Sequence, residues 1–375
     1  MRRVRSLAAV LLLAGLATPA KAQSDSSSWT SDKVLTPAER AGGPKLLKTS
    51  PVQAPGRVRL PALGETGVIT TKAPTSLPIL PSEAPKDSSS IAKTDAGADP
   101  AYEAFDLGRY VAARDLATAA AERGEPQSAT LLGRIYQEGL GVPHDDVKAA
   151  QWYRRGAELG DINAKFAFGV MLAEGGALKK DRAGAGLMFE LAAAKGHVLA
   201  SYNLALLFLT GDGKPENPRR GFQLIEYAAE AGLVQAQYDL ATLYATGTGV
   251  DPNAFKAATW FKRSAEAGLP EAQLDFGVLL FAGKGIARDK TQGAEMFRLA
   301  ADKGNPVAQY RYAICHAYGE GVAPNPAEAA KWYLIAKPQG LEDPALEKIL
   351  AKLTKPERQK AEQAAATWRE ETAVR

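Results

Sequence analysis

The sequence predicts an all-α protein, a solenoid of 36-residue helix-turn-helix repeats behind a disordered N-terminal segment. Three observations predict it. Glycines recur every 36 residues, at Gly139, Gly175, Gly211, Gly247, Gly283 and Gly319, and again at Gly160, Gly196, Gly232, Gly268, Gly304 and Gly340. Large apolar residues keep the same interval at Trp152, Met188, Leu224, Trp260, Met296 and Trp332, each followed by Tyr153, Phe189, Ile225, Phe261, Phe297 or Tyr333. Residues 23–97, by contrast, are rich in proline and serine and carry no period. A fixed period held without insertion over six units marks a repeat array.

Residues 1–22 are predicted to be a signal peptide. Arg2, Arg3 and Arg5 form a basic start, Leu7 to Ala17 an apolar run, and Ala20-Lys21-Ala22 a small-x-small cleavage site. The apolar run is too short to span a bilayer as a helix. No later segment offers 18 consecutive apolar residues, so no integral membrane segment is expected after cleavage. The expected location is periplasmic or secreted. Removing the four cations of this segment (Arg2, Arg3, Arg5, Lys21) from the formal charge of +4 leaves the rest of the chain at zero. With no basic stripe, a nucleic-acid partner is not expected.

Residues 23–97 are predicted to be a disordered linker. Nine prolines fall there, with serine runs at 26–28 and 88–90 and Trp29 as the one aromatic residue. So little apolar material does not offset chain entropy. Ser90-Ile91-Ala92-Lys93 matches the S-x-x-K pattern of penicillin-recognising serine enzymes. It lies in the linker without the S-D-N or K-T-G elements that would complete such a site, and is read as a chance match.

The array is predicted to run over 98–343, as about seven units of which the first is degenerate. In each unit a first helix ends at the Gly139 ladder, and a second glycine follows two residues later in five of the six full units. These Gly-x-Gly pairs follow no strand and precede no Gly-Lys-Ser/Thr, so they are turn residues that accept positive φ rather than a phosphate loop. The second helix starts at Asp145, Asp181, Asn217, Asn253, Asp289 or Asn325. Asp and Asn at that place accept from the free N–H groups of the first turn, so these six side chains are expected to be caps and not metal ligands. Pro218 and Pro326 follow at the first helical position. Small residues recur at Gly133, Gly169, Ala205, Ala241, Gly277 and Ala313, letting helices approach, and the Trp152 and Tyr153 ladders are expected to fill the space between units. One unit alone cannot bury that surface, so stacking is obligatory. Residues 344–375 are predicted to form C-terminal capping helices, the last opened by Thr354 with Glu357 three residues on.

These residues resemble the Sel1-like repeat family, whose motif runs roughly A-x-x-x-L-G-x-x-Y-x-x-G-x-G-V, an Asp or Asn, then K-A-x-x-W-Y-x-x-A-A-x-x-G. Leu132, Gly133, Tyr136, Gly139, Gly141, Val142, Asp145, Lys148, Ala149, Trp152, Tyr153, Ala157 and Gly160 match it. The units at 236–268 and 308–340 match nearly as well. The unit at 164–196 departs, with Ala177 for the second loop glycine and Met188 for Trp, and the unit at 200–232 has Lys214 for Val and Leu224 for Trp. The resemblance covers about 245 of the 375 residues. It implies a right-handed, tetratricopeptide-like α-solenoid and an adaptor that binds a protein or peptide partner. In exported bacterial members it implies a role in envelope signalling, exopolysaccharide or cell-wall machinery, or host interaction. The alternative it carries is a cell-wall or β-lactam hydrolase of the cysteine-rich type. Those members pair cysteines within their repeats, whereas this chain has Cys315 alone.

If the first helices line a concave side, two neighbouring positions project there. One holds Thr130, Phe166, Tyr202, Tyr238, Leu274 and Tyr310; the other holds Leu131, Ala167, Asn203, Asp239, Asp275 and Arg311. The second position turns polar in the later units while the framework stays constant. Aromatic area beside acids and an arginine is interface composition. The alternatives are that the aromatic position, which is also part of the family pattern, serves packing between units and that the second position is an ordinary solvated face. On the interface reading, Tyr202, Asn203, Tyr238, Asp239, Asp275, Tyr310 and Arg311 are the predicted partner-binding residues. No enzyme activity, catalytic residue, cofactor or metal is expected. Cys315 shares its position with Ile135, Met171, Leu207, Leu243 and Leu279, so it reads as a buried hydrophobe, and His316 replaces Tyr136 and Tyr244 as a packed ring. With only His144 and His197 besides, no ligand pair or nucleophile triad can be assembled.

Overall fold

The computed structural model describes residues 99–373. The predicted signal peptide (1–22) and linker (23–97), with the S-x-x-K match, lie outside the described residues. Among the described residues there are sixteen α-helices and no strand. They fall into two compact units, residues 99–228 and 229–373.

The first unit holds α1 (Pro100–Asp106), α2 (Tyr110–Glu122), α3 (Pro126–Glu138), α4 (Asp146–Glu158), α5 (Ile162–Glu174), α6 (Arg182–Ala193), α7 (Val198–Thr210) and most of α8 (Pro218–Glu230). The second holds α9 (Val234–Thr246), α10 (Ala254–Glu266), α11 (Pro270–Ala282), α12 (Lys290–Asp302), α13 (Pro306–Tyr318), α14 (Pro326–Ala336), α15 (Pro344–Lys352) and α16 (Lys355–Ala373). From α1 to α7, and again from α9 to α15, each helix packs on the next in sequence; α16 packs on α14. That is the stacked helix-pair architecture the 36-residue period predicts.

The local reasons repeat with the sequence. Asp145, Asp181, Asn217, Asn253, Asp289 and Asn325 each accept a hydrogen bond from the backbone N–H three residues on, at 2.8–3.2 Å. All six are caps. Each also donates its own N–H back to a carbonyl of the preceding first helix, as Asp145 does to Tyr136 at 2.9 Å and Asn325 to His316 at 2.8 Å. The loop is thereby closed from both sides. Gly285 explains the second loop glycine: its φ is +74°, and a Cβ there would stand 2.1 Å from the carbonyl oxygen of Ala254, at the start of α10. The loop of one repeat is pressed onto the second helix of the repeat before it.

The core lies between paired helices. Phe189, Ile225, Phe261, Phe297 and Tyr333 have no measurable exposure, and Tyr153 is buried. Burying one such ring stabilises by about 1.5–3 kcal/mol. The small ladder is what admits it: a Cβ on Gly133 would lie 2.6 Å from the Tyr153 ring, and on Gly277 2.6 Å from Phe297. The neighbouring ladder corrects the sequence reading. Leu224 and Trp332 are buried, but Trp152, Met188, Trp260 and Met296 are only half-buried. A helix turns 100° per residue, so of two adjacent positions one points into the pair and the other sits at its rim. Trp260 there lies under the Arg263 guanidinium, 4.7 Å from its ring centre.

At the C-terminus the Thr354 N–H donates to Glu357 at 2.9 Å. The α16 face carrying Ala361, Ala365 and Trp368 lies over α14, where Trp368 meets Trp332 edge-on at 6.0 Å.

Candidate functional site

The predicted partner-binding residues stand on first helices, Tyr202 and Asn203 on α7 and the rest on α9, α11 and α13. The structure places six of the seven beneath the surface: Tyr202, Asn203, Tyr238, Asp275, Tyr310 and Arg311 are buried. Asp239 is half-buried and accepts from the Gln235 side chain at 3.3 Å. For Tyr202, Tyr238 and Tyr310 this is the packing alternative, whereas the expectation that Asn203, Asp275 and Arg311 stand on open surface is corrected. The two positions lie on the edge by which a first helix meets its neighbour, where the stack itself covers them.

In the second unit this edge is a polar seam. Tyr238 of α9 donates its hydroxyl to Asp275 of α11 at 2.9 Å, with both side chains buried. The Tyr238 ring stands edge-on to Phe261 at 5.5 Å. Burial pushes the Asp275 carboxyl up to about 7, against the lowering influence of the Tyr238 hydroxyl and the Arg311 charge. Burial likewise lowers the Arg311 pKa, which Asp275 partly restores. The Arg311 guanidinium lies 5.8 Å from the centre of the Phe297 ring, and its Nε is buried without a hydrogen-bond partner among the described residues. Tyr310 donates to Asp343 at 2.7 Å, and Asp343 caps α15 by accepting from Ala345 at 2.7 Å. These groups tie successive first helices together.

A second ladder of this seam carries no obvious motif in the sequence. Gln237, Gln273 and Gln309 stand 36 apart and donate to the carbonyls of Ala229, Ala265 and Ala301 at 3.1–3.3 Å. Each joins a first helix to the end of the second helix before it. In the first three full units the position holds Ala129, Lys165 and Ser201, which hides the pattern from a reading of all six.

Cys315 and His316 are packed, His197 caps a helix, and His144 lies on the surface. Cys315 is fully buried, and burial pushes its thiol well above the usual range. His316 is half-buried and edge-on to Tyr312 at 4.6 Å. His197 caps α7, its Nδ1 accepting from Ala200 at 3.1 Å, and stacks on Phe166 at 4.5 Å. His144 pairs with Asp146 at 3.1 Å on the surface. Among the described residues no group of three or more His, Cys, Asp or Glu is placed to hold a metal ion. No helix among them is long and apolar enough to cross a membrane.

The helix pairs, their caps and their 36-residue period have a counterpart among known families. The Sel1 repeat model matches residues 126–161, 163–197, 198–233, 234–269, 270–305 and 306–340, together more than half of the chain. The chain belongs to the Sel1 repeat family. Its Sel1 repeats are similar to those of two solved proteins. One is a Sel1 repeat protein from Oxalobacter formigenes, 27% identical, with a TM-score of 0.58 over 64% of this chain and 98% of the other. The second is c5321, a protective antigen present in uropathogenic Escherichia coli strains displaying an SLR fold, 28% identical, with a TM-score of 0.53 over 74% of this chain and 68% of the other. No curated protein matches the chain. The family model begins at residue 126, so α1 and α2 stand before the first matched Sel1 repeat.

Proposed function

We propose that this Sel1 repeat chain is an exported adaptor that holds a protein or peptide partner on the surface of its stacked repeats and performs no catalysis of its own. The observation that carries the reading is the division of labour within each repeat. Framework positions recur every 36 residues and are spent on caps, loops and core, whereas the positions between them vary from repeat to repeat. A scaffold holds its shape constant and varies its surface. Support for export comes from the basic start, the Leu7–Ala17 apolar run and the Ala20–Ala22 cleavage pattern. A periplasmic or secreted protein of this build suits envelope signalling, exopolysaccharide or cell-wall machinery as an organiser of other proteins. Of the predicted stripe, Asp239 keeps surface to offer a partner, while the buried Tyr238, Asp275 and Arg311 shape the wall behind it.

The reading is tested by crosslinking in the intact envelope, with the tagged chain purified and its adducts identified by mass spectrometry. One reproducible partner protein, together with a mature N-terminus at Gln23, is expected. Turnover of a chromogenic β-lactam, a covalent penicillin adduct, or a retained residue 1 would overturn it.

A further inference from the structure

The repeat at 164–196 departs from its neighbours where its loop meets α4. Ala177 replaces the second loop glycine, and the positive-φ residues are the adjacent Gly175 and Gly176. Gly175 has a ψ of −148°, where Gly139, Gly211, Gly247, Gly283 and Gly319 close their helices in the left-handed region. Leu172 stands where Tyr136, Phe208 and Tyr244 place a ring. The one other aliphatic residue at that position, Leu280, is buried together with Phe276, whereas Leu172 and Phe168 keep part of their surface open. A groove of about 550 Å³ results, between α4 and the end of α5 and its loop.

The floor of the groove is apolar, made by Phe168, Leu172 and Leu178, and its rim carries Arg154, Lys179 and Lys180. Among the described residues neither lysine is in an ion pair, and both are exposed. Arg154 gives its Nε to Glu158 at 2.9 Å on the exposed side of its helix. The rim's own carboxylate, Asp181, is engaged by the Gly184 N–H at 2.8 Å as a cap. The groove therefore offers apolar contact and, at Lys179 and Lys180, positive charge outside any ion pair, within one short span. A partner that fits must bring one apolar side chain and acid beside it.

We infer that this groove docks an acidic peptide segment of a partner protein, one aliphatic or aromatic side chain seated on Phe168, Leu172 and Leu178 and the flanking carboxylates on Arg154, Lys179 and Lys180. The inference rests on the scaffold reading above and names the chemistry of one partner site. Three cations on a single rim give too short a track for a nucleic-acid backbone, and the apolar floor has no use for one. The peptide supplies both halves of the complementarity.

The test is a fluorescence-anisotropy titration of the mature protein with a labelled twelve-residue peptide that has one leucine flanked by Asp and Glu. Its Asn/Gln counterpart and single-stranded DNA serve as competitors. Saturable binding with Kd in the range of about 10–100 μM is expected, weakened roughly tenfold in the amide peptide and reduced by added salt. The double variant Lys179→Glu/Lys180→Glu loses about tenfold in affinity. Leu172→Tyr restores the ring that the neighbouring repeats hold, so it keeps the fold while filling the groove, and it abolishes most of the binding at an unchanged thermal melt. No saturable binding up to about 1 mM, equal affinity for the amide peptide, undiminished binding by folded Leu172→Tyr, or preference for DNA each overturns the inference. A negative titration beside a successful envelope crosslink removes this groove and leaves the adaptor reading in place. If both fail, the adaptor reading falls with it.

Discussion

Tyr153 and Trp152 are neighbours in sequence and differ in what they do. The Tyr153 ladder lies in the helix pair against the small ladder, and the Trp152 ladder lies at its rim in four of six repeats. Phe261→Ala should therefore cost about 3–5 kcal/mol in denaturant melts, the usual loss for a large ring removed from a core. Trp260→Ala, half-buried under Arg263, should cost about half of that. Equal losses would mean that both residues share the core. Asp275 gives a second test at this scale. Its folded pKa of about 7 lies above the ordinary carboxylate value, so the folded state holds a proton that the unfolded chain has released. Stability from this group is fully present below about pH 4 and is lost as pH rises through about 7. Asp275→Asn, which keeps an oxygen for the Tyr238 hydroxyl, should flatten that part of the stability profile between pH 4 and 7. Identical profiles for the two proteins would show that the carboxyl titrates normally despite Tyr238, Arg311 and Glu271 around it. Asp275→Lys, an innocuous change for an exposed residue, would instead bury a lysine and should destabilise strongly.

At the scale of the element, each repeat is held by a cap, a returning hydrogen bond and a loop that touches the previous helix. Gly285 and Gly304 separate two reasons for glycine in such loops. Both have positive φ, 74° and 84°, but a Cβ on Gly304 meets nothing within 4 Å, while one on Gly285 meets the Ala254 carbonyl at 2.1 Å. Gly304→Ala should cost the backbone strain alone, about 1–2 kcal/mol. Gly285→Ala adds an overpacking cost of about 1–3 kcal/mol, because the neighbour is backbone and cannot turn away. Urea melts of the two variants should rank accordingly, and a reversed order would show that the loop does not bear on α10. The departure at Ala177 follows from the same contact: without glycine at that place, the loop takes a different path, and a groove opens beside it.

For the whole molecule, stability is passed from neighbour to neighbour within each unit, since successive helices pack on one another from α1 to α7 and from α9 to α15. An array of this kind needs its last apolar face covered. In the second unit α16 does so, with Trp368 on Trp332 and a bond from Arg369 to the Leu334 carbonyl. Deleting residues 355–375 would expose Trp332, Leu334 and Ala330 at once. The truncated protein should melt several degrees lower and bind an apolar dye such as ANS. An unchanged melt without dye binding would show that α14 closes the array unaided.

The 36-residue period, the six caps and the buried Cys315 were legible without coordinates, because each depends on residue type and spacing alone. A helix start needs an acceptor at one place, and a repeat announces itself by recurrence. Which of two adjacent ladders enters the core was not legible, because Trp and Tyr are both large and apolar and one residue of phase decides between them. Nor was the fate of the Tyr238–Asp275–Arg311 stripe. Polar residues at a variable position read as surface, yet here the joint between successive first helices buries them, with the Tyr238 hydroxyl bonded to Asp275 and Arg311 set against the Phe297 ring. The groove at Phe168, Leu172 and Leu178 lay further out of reach. Its sequence signs, Ala177 and Leu172, are losses of side chain or of turn geometry, and a loss becomes a site only when the neighbouring helix is in place to form its other wall.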